Sequence, residues 1–71
     1  MFTQAYETFE AHREEWLAEH WGEYVVIAAH HVLGFFPSLD LAYDAGRRHY
    51  GPEVFFLVLR VVDYDQLAAV Y

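Results

Sequence analysis

Histidine is the residue type with the widest chemical reach in this chain: five are present, at positions 12, 20, 30, 31 and 49. His30 and His31 are adjacent, which suggests metal ligands or an acid–base pair. Neighbouring residues of an extended strand point to opposite faces, so the two are poorly placed to grip one ion. The His-x-His, His-x3-His and His-Glu-x-x-His spacings that aim two imidazoles at one metal are absent. His12 and His20 fall within about 80° of each other on a helix, but about 12 Å apart along its axis. A metal site is therefore not expected, and the histidines read as polar turn and helix residues.

Nucleophilic chemistry has little to work with. A nucleophile needs a base and an orienting group. There is no cysteine, and the single serine, Ser38, is explained as a helix cap. Asp63 and Asp65 pair two carboxylates on a tail with no sign of a cleft. Glu7, Glu10, Glu14, Glu15 and Glu19 make an acidic run that reads as a solvated helix face, with a cation site the lesser alternative. No phosphate loop, Gly-rich fingerprint or other cofactor motif is present. The expectation is a non-enzyme without cofactor or metal.

Eleven acidic residues against four basic ones give a formal charge of −7. Neutralising a phosphate backbone or an anionic membrane needs a Lys/Arg surface that four cations cannot make, so neither nucleic acid nor membrane is an expected partner. No apolar run approaches the ~20 residues of a bilayer span. The start of the chain, Met1–Glu7, lacks a basic region and an apolar stretch, so it does not read as a signal peptide. The expectation is a soluble, cytoplasmic protein. With 71 residues, one domain is expected, without disulfide support.

The elements that would position these groups follow from periodicity. Phe2, Tyr6, Phe9, Trp16, Leu17 and His20 form one helical stripe, predicting a helix from Thr3 to His20, stopped near Gly22. Tyr24–Ala29 and Val32–Phe36 read as two strands of a tight hairpin. Its turn lacks the Gly or Asn such turns prefer, so a strained or wider turn is expected. Gly34 suggests a bulge. Ser38 caps a second helix, Leu39–Tyr50, with Asp40 in its first turn, Arg47, Arg48 and His49 in its last, and Gly51-Pro52 ending it. Val54–Val62 is a third strand, apolar at every position except Arg60. Residues 63–71 form an extension expected as a short helix, with Leu67, Val70 and Tyr71 apolar, or as a frayed tail.

The order α-β-β-α-β predicts a two-layer α+β domain over residues 1–62. A three-stranded antiparallel sheet, order 2-1-3, would carry two helices on one face. The third strand is apolar on both faces and must be covered on both. Two helices on one side leave the other bare, so a partner chain or the C-terminal extension is expected to cover it. The candidate interface residues are Phe35, Phe55, Phe56, Leu57, Leu59, Val61 and Tyr71, with part of the wider aromatic set left for the core.

The chain resembles the small DUF5678-like family of uncharacterised bacterial proteins. The matching pieces are Tyr6…His12-Arg13-Glu14-Glu15…Leu17 and Gly22-Glu23-Tyr24-Val25-Val26-Ile27. They continue with Val32-Leu33-Gly34-Phe35-Phe36-Pro37-Ser38, Ala42…Ala45-Gly46, Tyr50-Gly51 and Phe56-Leu57-Val58, covering about residues 6–62. The resemblance implies a short α-β-β-α-β protein with no assigned catalytic residues, and places some members beside small retropepsin-like aspartyl proteases. The chain departs from the family pattern at the Ala28-Ala29 turn, near Leu59, where it is more apolar, and after Val62.

The expected function is a non-catalytic interaction protein that forms a homo-oligomer, most simply a dimer, or docks on a protein partner through an apolar sheet face. The alternative is an acidic regulatory or inhibitory partner: antitoxin-like, protease-adjacent or a DNA mimic. A histidine-metal hydrolase ranks last.

Overall fold

The computed structural model describes residues 3–70. Its elements are α1 (Thr3–Ala11), α2 (Arg13–Glu19), β1 (Tyr24–Ala28), β2 (His31–Phe36), α3 (Leu39–Tyr50), β3 (Leu57–Arg60) and β4 (Leu67–Val70). The strands form one antiparallel sheet in the order β2-β1-β3-β4. The α+β class and the central β1 agree with the sequence expectation. The sheet gains a fourth strand from the C-terminal extension, which is neither helix nor frayed end over Leu67–Val70.

The helices lie on opposite faces of the sheet, which corrects the expected two-layer arrangement. Ala5 and Phe9 of α1 and Trp16 of α2 pack on Val25, Ile27, Leu57 and Leu59. Ala42 of α3 packs on Val26, Phe56 and Val58, with Leu39 and Tyr50 at the margin. The topology explains this. β2 and β3 each run antiparallel to β1, hence parallel to one another, and α3 joins them across β1. That crossover commits α3 to one face, and the apolar stripe of α1–α2 takes the other.

So small a chain can cover both faces because the central strands are short. A twelve-residue helix spans about 18 Å, and strands of four to six residues span about 13–20 Å. The twelve-residue α3 on one face and the α1–α2 pair on the other therefore match the central strands. The strand expected over Val54–Val62 shrinks to Leu57–Arg60, with Val54 and Phe55 in the preceding loop.

The expected first helix breaks at His12 (φ −113°, ψ 9°). The His12 amide donates to the Phe9 carbonyl at 3.1 Å instead of reaching Thr8. The His12 ring fills the gap: its Nδ1 lies 3.1 Å from the Thr8 carbonyl oxygen, which can only accept. A side chain inserted into the backbone ladder is a recognised cause of such a bend. Phe9 and Trp16, seven residues apart, stay on one face across the bend, in edge-to-face contact at 5.6 Å.

The hairpin turn is Ala29-His30, two residues between the paired Ala28 and His31. Ala29 takes φ 54°, a left-handed conformation that costs an L-residue about 1–2 kcal/mol. The expected strain is therefore real. Both edge strands carry a bulge: Leu33 is the extra residue in β2, next to Gly34, and Ala68 the extra residue in β4. Bulged edges resist indefinite strand-on-strand pairing. The Ser38 hydroxyl caps α3 as expected, accepting from the Leu41 amide at 3.2 Å.

Candidate functional site

His30 and His31 point to opposite sides of the sheet, as adjacent residues of an extended chain do. His30 turns toward α1, where its Nδ1 lies 3.3 Å from Thr8 Oγ1. His31 turns toward α3, its Nδ1 2.6 Å from the Tyr50 hydroxyl. The hairpin tip is thus pinned to both helical layers by successive imidazoles. Thr8 is buried, and its hydroxyl donates to the Gln4 carbonyl at 2.8 Å, with the Ala29 carbonyl at 3.2 Å. With that proton committed to carbonyls, His30 donates Nδ1–H into the Thr8 oxygen.

Glu7, Thr8, Ala11, His12 and His30 line an open, shallow cleft of about 340 Å³. Its imidazoles orient the helix bend and the turn, which accounts for them structurally. Among the described residues no group of three or more His, Asp or Glu is placed to hold a metal ion. His20 stacks on Phe35 at 3.7 Å and pairs with Glu23 at 2.8 Å, tying the end of α2 to β2. Tyr50 has its phenol pKa raised above the usual 10.0 by burial, so it stays protonated across neutral pH.

Asp63 and Asp65 are exposed, and Ser38 serves as a cap. Glu7, Glu10, Glu14, Glu15 and Glu19 are exposed along α1 and α2, in no ion pair among the described residues.

The expected interface residues divide sharply. Phe56, Leu57, Leu59 and Val61 are fully buried inside the single chain, beneath its own helices. They cannot present an apolar sheet face, because the face expected to lie bare over β1 and β3 carries a helical layer. Phe35 is half-buried against Trp16 and His20. Phe55 is 70% exposed. Tyr71 lies outside the described residues.

Large apolar side chains are exposed at Trp21, Leu41 and Tyr64 among others, and two more stand together on β4. Leu67 pairs with Leu59 and Val70 with Leu57, so both project toward the α1–α2 side. The bulge at Ala68 makes this possible, since residues three apart in a regular strand face opposite ways. No helix shields them: Leu67 is 53% and Val70 48% exposed. Phe55 and the exposed Val54 precede the β3 residue paired with Val70, placing them at the same end of the sheet. Phe55 is among the interface residues the sequence marks, whereas Leu67 and Val70 read there as part of an extension that covers a bare face. The available signal was the apolar Leu-Ala-Ala-Val run after Asp63–Gln66.

Comparison with protein-family models, with curated proteins and with solved structures returns no match.

Proposed function

We propose that the chain is a non-catalytic interaction protein that self-associates along β4. The observation that carries this is the uncovered rim, where Leu67, Val70 and Phe55 stay exposed while the remaining strands are covered by helices. A second copy is the occupant that charge favours. Residues 66–70 carry no charge in a chain of net −7, and the helical glutamates lie on α1 and α2. Two copies related by a twofold axis would pair these uncharged strands, each setting Leu67 against Val70 of the other. A contact confined to one short strand and its fringe falls below the standard interface size, so association is weak, with Kd of about micromolar or above.

Sedimentation equilibrium tests this. Wild type should show a monomer–dimer equilibrium between about 10 μM and 1 mM. Leu67→Asp with Val70→Asp should be monomeric throughout, and Leu41→Asp, at an exposed apolar site on α3, should behave as wild type. A wild type that stays monomeric to 1 mM removes the reading.

The five glutamates of α1 and α2, in no ion pair among the described residues, favour a second reading, an acidic regulatory partner that occupies a basic site. Salt-sensitive binding of a basic protein, weakened by Glu14→Gln with Glu15→Gln, supports it. Binding indifferent to both salt and substitution counts against it.

A further inference from the structure

We propose that His31 and His49 together form a surface site for a divalent transition-metal ion, with Tyr50 as the residue that orients it. This is independent of the β4 contact and involves different residues. The imidazoles come from distant parts of the chain, the first residue of β2 and the last turn of α3. Their rings are nearly parallel (12°), with centroids 5.5 Å apart, and both residues are exposed. A metal sits about 2.0–2.1 Å from each imidazole nitrogen, so one ion needs two nitrogens within about 4.2 Å. The parallel rings do not aim two lone pairs at one point as they stand, so metal binding requires the exposed His49 ring to turn its nitrogen toward His31 Nε2.

Tyr50 supplies what a loose histidine pair lacks. Its hydroxyl is 2.6 Å from His31 Nδ1, and its ring stands edge-on to both imidazoles, at 5.8 and 4.8 Å. The ring is also held 5.8 Å from the buried Phe56. When Nδ1–H of His31 donates to the Tyr50 oxygen, Nε2 presents its lone pair to solvent. Metal-binding histidines are oriented in this way by a partner on the second nitrogen.

The donor set defines the ligand. Two neutral imidazoles without a carboxylate suit zinc, nickel or copper and not magnesium or calcium. The carbonyl end of α3 favours a cation. Arg48 is paired with Asp44 at 3.0 Å, and Arg47 lies over Phe56 at 5.1 Å; both guanidinium groups in that last turn oppose a cation. With no third protein ligand among the described residues, water completes the coordination and the site is weak.

The test uses untagged full-length protein titrated with NiCl2 at pH 7.5, read by calorimetry and by paramagnetic broadening of assigned histidine signals. Saturable 1:1 binding is expected below 1 mM, with His31 and His49 broadened first. His49→Ala should weaken it at least tenfold, and Tyr50→Phe, which keeps the ring, about tenfold. His12→Ala and His30→Ala should leave it unchanged, and MgCl2 should produce no heat. Binding that survives His49→Ala, that is lost in His12→Ala, or that fails to saturate below 1 mM overturns the proposal. Circular dichroism of each variant separates loss of the site from loss of the fold.

Discussion

Gly46→Ala sets two well-known effects against each other, and the structure decides between them. Position 46 lies within α3, where alanine is favoured over glycine by about 0.8–1.0 kcal/mol. On helix propensity alone the substitution should stabilise. A β-carbon at Gly46 would meet Phe56 Cε2 and Cζ at 2.5 Å and Cε1 at 2.9 Å. Carbon atoms prefer about 3.5–4.0 Å, so helix and ring must separate by about an ångström. Phe56 has no room to recede: it is fully buried, with Tyr50 and Arg47 against its ring. Overpacking of this kind costs about 1–3 kcal/mol. The net expectation is a destabilisation of up to about 2 kcal/mol, or a drop in Tm of up to about 16 °C for a domain of this size. Urea unfolding of Gly46→Ala, Phe56→Leu and the double variant measures it. The smaller leucine makes room for the methyl, so the double variant should be more stable than the sum of the singles by at least about 1 kcal/mol. A Gly46→Ala protein more stable than wild type would refute the close approach of α3 to the sheet.

Other positions give independent checks. Ala29→Gly relieves about 1–2 kcal/mol of left-handed strain against about 0.4–1 kcal/mol of added unfolded-state entropy, so thermal unfolding should show a net gain of up to about 1.6 kcal/mol. Thr8→Val removes the hydroxyl that joins α1 to the hairpin tip, and should cost about 1 kcal/mol in denaturant unfolding. Tyr50 has a raised folded pKa, so its contribution is complete below its unfolded value of 10.0 and is lost as pH rises through the folded value. Wild type should therefore lose stability more steeply than Tyr50→Phe above pH 10, and equal slopes would show that Tyr50 is not the group responsible.

The elements governed by local chemistry were legible in the sequence. Ser38, Asp40, the basic last turn and Gly51 define α3 to the residue, because capping and dipole effects act within one turn. The strain at Ala29 was legible because only a left-handed residue closes so tight a turn. The opposite placement of the helices was not, because it depends on a crossover between strands that are not neighbours in the sheet. β4 was hidden for a related reason. Leu67-Ala68-Ala69-Val70 is rich in helix formers, and the free edge of β3 overrides that preference. The expected interface failed at Phe56, Leu57, Leu59 and Val61 because a run apolar on both faces reads the same whether its cover is the same chain or another. His31 and His49 are too far apart in sequence for any spacing rule to join them.

The central claim is that β1 and β3 are covered by their own chain and that copies meet along β4. Concentration-dependent amide chemical shifts test it most directly. Between 20 μM and 1 mM, the shifts should move at Val54, Phe55 and Leu67–Val70 and stay constant along β1 and α3. Movement centred on β1 or α3, or none anywhere over that range, would contradict it.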